Sequence, residues 1–494
     1  MIDATTQASA AADAPTRPTR APRRSPTELT YSLDEAFVEA AAAREPGWLA
    51  ADRRAAFARY RTLPIETNQL YTTYVDLRMA DLAGTIPFEV STGSADAGSP
   101  ASPAGDVLPA RAAPPAEAAS PAPPAGAAGF AAFRDGDVDA LVLDDTARAA
   151  GVVLESLSGL VGRDPDLARR LLADEASLPL DDKLAQLTRA GWNQGVVLHI
   201  PAGVRLERPI VLRWQVGAPG RALLTRTILD LGEGASASVV EELEPTAGAA
   251  DRSGAHALFT GSLEVHLATG STLEVASIQD VATGTVVFQH RQAQIGEGAT
   301  LRWALAQLGG RLVRSRIDNR LSGDRSSVEQ VEIVFGADDQ LFDLTSYTRH
   351  IGRDTTGNLL SKAVLTDATR SYMKGLIIIE PTAIGTDSFL GEFGMNLSKQ
   401  ARAVAIPSLE IDQPDCRRAA HSSAVGPIDE SQLFYLESRG ISPEDARKFI
   451  VLGFLEPVVA RVPLASAQDT LRDLLEAKWD AGAARPGSIA APAA

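Results

Sequence analysis

Two periods alternate along the chain. From Ser32 to Leu63 the apolar positions recur at helical spacing. Ser32 and Asp34 stand as N-caps before Ala36–Ala43, and Pro46 opens a second helical segment through Trp48, Ala56 and Tyr60. Phe57, Tyr60 and Leu63 fall on one face of it, and a short mixed segment then runs to about Val90. Residues 91–129 are almost entirely Ala, Pro, Gly and Ser, a composition that cannot build a core and predicts a linker or insertion. Beyond it the pattern predicts a strand at Val138–Leu143, helices over Ala147–Gly162 and Asp166–Leu172, and one more helix over Asp181–Gly191.

The pattern changes near Gly195. From there to about Leu409 short β runs such as Val196–Ile200, Ile210–Trp214, Thr227–Leu231, Ser236–Glu242, Thr272–Ser277, Leu301–Gln307 and Ser327–Phe335 are broken by Gly, Asp, Asn and Thr. Three segments resemble one another: LGEGASASVVEEL, LATGSTLEVASI and IGEGATLRWALA, with Gly234, Gly270 and Gly298 at equivalent turns. A β-sandwich and a stacked parallel coil both fit short recurring strands. Two-residue hairpin signals are scarce and the similar segments run in one direction, which favours the coil.

The helical period returns after Leu409. Asp429 caps Ser431–Arg439, and Gly440 ends that helix. Ser442-Pro443-Glu444-Asp445 opens the next with an N-cap, a proline at the first helical position and acids in the first turn. Ala467–Trp479 is amphipathic. The resulting division is a disordered tail over 1–30, a helical region over 31–90, the Ala/Pro-rich segment over 91–129, an α/β entry over 130–194, the β coil over 195–412, a helical region over 413–480 and a second tail over 481–494.

Composition narrows the function classes. The net charge of −16, from 63 acidic and 47 basic residues, argues against a nucleic-acid binder. No apolar run is long enough to cross a membrane, and the first 28 residues lack the apolar stretch of a secretory signal, so a cytoplasmic protein is expected. The one cysteine, Cys416, allows neither an intrachain disulfide nor a CxxC site. No phosphate-binding loop, dinucleotide fingerprint, HExxH or GxSxG is present. The six histidines are scattered without helical metal spacing, so His199, His256, His266, His290 and His350 read as structural.

The segment around Cys416 and His421 carries more. Pro407, Leu409, Glu410, Ile411, Asp412, His421, Val425, Gly426, Phe434, Tyr435, Leu436, Arg439, Gly440, Ile441, Ala446, Gly453 and Phe454 follow one pattern. It resembles the C-terminal signature of the SufB/SufD family of iron–sulfur cluster assembly proteins. Asp181–Ile210 is similar to that family's entry into its coil; His350, Lys362 and a Tyr372–Gly375 turn also fit, and Arg44–Glu66 resembles the SufD-type helical region. The resemblance implies a mainly β fold, a right-handed parallel β-helix flanked by N-terminal and C-terminal α-helical regions.

Within the family the chain most resembles SufD. Counted back from Val425-Gly426, His421 takes the family histidine position and Ala419 stands where SufB-type chains carry cysteine. The implied role is a scaffold subunit, not an enzyme, paired with a SufB-like paralogue through the coil ends and with a SufC-like ABC ATPase through Asp429–Leu455. The resemblance implies a transient iron–sulfur cluster shared with the partner, none held permanently by this chain, and leaves room for a reduced flavin in the complex. His421 and, less readily, Cys416 are the assembly-site candidates, with His421 a transient iron ligand or else a hydrogen-bonded loop histidine. Phe434, Tyr435, Arg439, Phe449 and Phe454 are the docking candidates, the aromatics serving either as anchors or as the helical region's own core. A SufB-like persulfide acceptor and, remotely, a β-helix carbohydrate-active enzyme are the alternatives.

Overall fold

The computed structural model describes residues 24–90, 121–172 and 178–483. Two helices come first, α1 (Glu35–Ala42) and α2 (Gly47–Thr62), then the strand β1 (Ile86–Pro87). The entry region holds β2 (Gly129–Arg134), β3 (Asp137–Leu143), α3 (Asp145–Ala149), β4 (Val153–Ser156), α4 (Leu157–Arg163), α5 (Pro165–Leu172) and α6 (Lys183–Gly191). Eight strands then cover the first half of the coil: β5 (Gln194–Ile200), β6 (Ile210–Val216), β7 (Arg221–Leu231), β8 (Ser236–Pro245), β9 (Ala257–Leu267), β10 (Thr272–Gln279), β11 (Thr285–Ile295) and β12 (Thr300–Gln307). Eight more complete it: β13 (Leu312–Leu321), β14 (Ser327–Gly336), β15 (Leu341–His350), β16 (Thr356–Leu365), β17 (Arg370–Ile379), β18 (Asp387–Asn396), β19 (Arg402–Ile411) and β20 (Arg418–Gly426). The helices α7 (Glu430–Ser438), α8 (Pro443–Val459) and α9 (Ala465–Ala483) close the described chain.

From β5 onward every strand pairs in parallel with the strand two places on. Odd-numbered strands stack into one sheet (sheet A) and even-numbered strands into the other (sheet B), so the sixteen strands wind eight turns of a parallel β-helix. The coil reading therefore holds and the sandwich does not. At the first end, β4 runs antiparallel to β5, while β2 continues the second sheet and turns back into β3.

The repeat signal in the sequence marks a corner of this coil. Pairing aligns Ser236, Thr272, Thr300, Ser327, Thr356 and Asp387 across consecutive turns. Two residues before each stand Gly234, Gly270, Gly298, Arg325, Asp354 and Gly385, with φ of 64°, 67°, 63°, 58°, 54° and 78°. Each donates its backbone N–H to a carbonyl in the following turn, at 2.7–2.9 Å, so the ladder continues around the corner. Arg325 and Asp354 take the left-handed conformation without glycine's freedom. Ion pairs with Glu297 and Arg417 hold them there.

Between the sheets lies the main apolar core, which includes Leu229, Phe259, Val287, Trp303, Val328 and Met373. The outer face of sheet A is covered at one edge by α1, α2 and α6, through Val38, Phe57, Leu187, Leu224 and Phe288. The outer face of sheet B receives α8 and α9, with Val451, Leu455, Leu471 and Trp479 buried against Ala304, Ile333 and Val364.

Several boundaries differ from expectation. Arg24–Thr30 is packed, not a tail: Arg24 donates to the carbonyls of Leu77 and Ala80, and Leu29 joins the N-terminal core. The expected helix over Ala147–Gly162 is interrupted by β4, whose Val153–Ser156 pairs with β5 and so answers to the sheet, not to local propensity. Residues 121–128 lead into β2, and Ala128 is buried. Tyr372–Gly375 is no turn but the middle of β17; Gly375 is glycine because a Cβ there would lie 2.5 Å from Leu390. The coil extends past 412, since β20 adds a last strand, and α9 runs to Ala483. The expected tails over 1–23 and 484–494 and the Ala/Pro-rich stretch over 91–120 lie outside the described residues. No described helix is long and apolar enough to cross a membrane.

Candidate functional site

The second end of the coil is open. β19 is the last strand of sheet A and β20 the last of sheet B, and beyond each no described strand pairs. Such edges present a row of backbone donors and acceptors ready to pair with another chain. Pro427 and the cap at Asp429 then turn the chain away into α7.

His421 sits in the middle of this edge. Register places it in one inward-facing column with Gln330, Leu359 and Leu390. Leu359 and Leu390 are buried because another turn covers each, whereas His421 is exposed because its turn is the last. An imidazole pointing along a core column yet open to solvent is available to a partner's chemistry. Ile411 and Val425, 45% and 42% exposed, give the same end an apolar rim.

Cys416 lies in the connection from β19 to β20 and is half-buried. It packs against Leu359, Ile377, Ile379, Ala383 and Leu390, as a small hydrophobe would. No group of three His, Cys, Asp or Glu side chains among the described residues is placed to hold a metal ion.

One turn inward is a carboxyl that sequence reasoning missed. Glu392 occupies the inward column between Ser361 and Ser423, is 1% exposed, and accepts the Ile406 N–H at 2.8 Å. Burial pushes its pKa up to about 8. The signal was an acid at an inward position of the alternating run SFLGEFGMN.

Four of the other histidines have partners within the fold. His350 is fully buried, with Nδ1 at 2.8 Å from the Thr355 hydroxyl and Nε2 at 3.0 Å from the Ser388 hydroxyl. Burial lowers its pKa to about 4. His199 Nδ1 lies 2.6 Å from Asp230, His256 Nδ1 accepts the Asp81 N–H, and His290 Nε2 lies 2.9 Å from Asp318.

The C-terminal helices divide the docking candidates. α7 buries no residue, and Phe434, Tyr435 and Phe449 are 73%, 57% and 59% exposed. Arg439 lies over the Tyr435 ring at 5.3 Å and is itself exposed. These aromatics are therefore not the helical region's own core. Phe454 is different: it is half-buried on the coil side of α8, with Lys362 over its ring at 4.5 Å and donating to its carbonyl at 2.9 Å.

Known proteins match this sequence. The SufBD core domain of SUF-system FeS cluster assembly matches residues 214–454, from β6 into α8. The chain is 26% identical over 346 residues to the iron–sulfur cluster assembly protein SufD of Bacillus subtilis, covering 70% of this chain and 78% of that one. It is 28% identical over 342 residues to the SufBD family protein Rv1462 of Mycobacterium tuberculosis, covering 67% and 83%. It is 25% identical over 345 residues to the SufB of Bacillus subtilis, covering 70% and 73%. The matched stretch covers the coil from β6 onward, its open end, α7 and most of α8. By this match and these relatives the chain resembles the SufB/SufD family of iron–sulfur cluster assembly proteins.

Proposed function

We propose that this chain is the SufD-like, noncatalytic subunit of a scaffold that it forms with a SufB-like paralogue and a SufC-like ATPase in the cytoplasm. The observation that carries the reading is the open coil end, where an edge strand presents His421 in a turn that contains a single, apolar-packed cysteine. A chain so equipped lends one imidazole, and the partner must bring the sulfur chemistry and further ligands. The cluster is then transient and shared, with no resident cofactor on this chain; a reduced flavin, where the assembly uses one, belongs to the complex. The sequence has no phosphate loop, so ATP hydrolysis belongs to the partner.

Anaerobic reconstitution of the three co-expressed chains tests this. Replacing His421 by Ala is expected to lower cluster absorption at least as far as loss of an outer-shell metal partner lowers affinity, about 10–100-fold. Cys416→Ser is expected to leave it intact. Loss of the cluster in Cys416→Ser would instead favour a SufB-like persulfide acceptor.

The exposed aromatics supply the ATPase contact in this reading. Removing Phe434, Tyr435 and Phe449 together by alanine is expected to weaken ATPase capture by about 30-fold or more, the effect of losing one strong interface anchor. The melting temperature should hardly move, because these rings bury little in the free chain. Unchanged capture in a pull-down with the triple variant would remove these helices from the interface.

A further inference from the structure

The outer face of sheet A carries a groove that the assembly reading does not use. Its volume is about 710 Å³, within the range of small-molecule sites. The floor is formed by outward side chains of β13, β15, β17 and β19; one wall is the loop Thr67–Gln69 and the other is Leu178–Asp181.

The arginines of this face are treated unequally. Arg314 is paired with Glu66 and Asp343, and Arg316 with Asp182 and Asp318. Arg349 is paired with Glu380. Arg320 has no carboxylate and no hydrogen-bond acceptor among the described residues, although its Nε is shut off from solvent. Leaving a buried donor without an acceptor is costly. A second cost lies beside it: register sets Arg320 directly opposite Arg349 on the adjoining strand, two guanidiniums side by side on one face. One oxyanion at their terminal nitrogens would offset that repulsion.

The rest of the groove limits what carries that oxyanion. Tyr347, Leu376 and Ile378 make the adjacent floor apolar and aromatic, and Leu178 to Leu180 face the same space. Asp181 and Glu410 also line the groove and disfavour an extended polyanion. We propose that this groove binds a small molecule with one compact oxyanionic head, carboxylate or phosphate, on an apolar or planar body. The head sits at Arg320 and Arg349 and the body on Tyr347, Leu376 and Ile378. The site lies on the side of the coil, and the proposal does not depend on the assembly role.

Phenyl phosphate and phenylacetate, titrated separately into the full chain with calorimetry and ligand-observed NMR, test it. Saturable one-site binding of either is expected, and the tighter probe identifies the head. Arg320→Gln should weaken that binding at least tenfold without lowering the melting temperature, because Arg320 has no partner to lose. Arg302→Gln, on sheet B, should bind as the unaltered chain does. Absence of saturable binding for both probes overturns the proposal, and so does an Arg320→Gln chain that binds with unaltered affinity.

Discussion

Arg226→Met is expected to destabilise the chain by about 3–5 kcal/mol, the range for breaking a buried ion pair from one side. Arg226 and Glu264 face each other on neighbouring strands, both fully buried, with Nε–Oε1 at 2.8 Å and Nη2–Oε2 at 2.7 Å. Removing the guanidinium leaves a carboxylate with the Ser262 hydroxyl, at 3.0 Å, in a place water does not reach. The field of Asp52 and Glu45, which helps to hold Arg226 charged, then acts against Glu264. Arg226→Met/Glu264→Leu should recover most of the loss, since replacing a whole buried pair by apolar groups is often neutral. Urea denaturation of the single and double variants decides it: a single variant within 1 kcal/mol of the parent, or a double variant no better than the single, would sink the argument.

The second large effect depends on pH. The Glu392 pKa is raised from 4.5 to about 8, so the folded chain keeps a proton that the unfolded chain releases. The folded state binds the extra proton between those values, and stability therefore falls as pH rises from about 4.5 to 8 and levels off above. The shift corresponds to a loss of about 5 kcal/mol across that window. Glu392→Gln keeps an acceptor for the Ile406 N–H and removes the charge. Its advantage over the parent should be small near pH 5, grow through pH 8 and then stay constant. Denaturation curves for the two chains that run parallel from pH 5 to pH 9 would refute this.

Much of the fold was legible in the sequence because coil corners and helix ends are local events. Gly234, Gly270 and Gly298 announced three turns of the corner ladder; Arg325 and Asp354 hid two others, since their left-handed backbone is fixed by hydrogen bonds to the next turn and by ion pairs to Glu297 one turn back and Arg417 two turns on, which no local pattern shows. Asp34, Asp182, Asp429 and Ser442 cap helices through their own side chains and were readable as such, apart from Asp182, one residue inside the expected start. β4 and β20 escaped because their pairing, with β5 and β18, is non-local. At the site, His421 was found through its resemblance to a family motif. Its exposure follows only from its place in the last turn. Arg320 was invisible because its meaning comes from a strand 29 residues away; Glu392 was readable as an acid at an inward position, but its place beside the Ile406 N–H, 14 residues on, was not.

The corner ladder also sets how this molecule tolerates changes in length. Each left-handed residue is tied to the turn after it, and each strand pairs only with its neighbours, so the coil behaves as a stack of interchangeable floors. Adding or deleting a whole floor leaves every remaining corner facing a corner. Adding one residue within a strand would turn core side chains to solvent and detach its corner from the next. Length variation in this chain is therefore quantised along the coil and free only in the loops between strands.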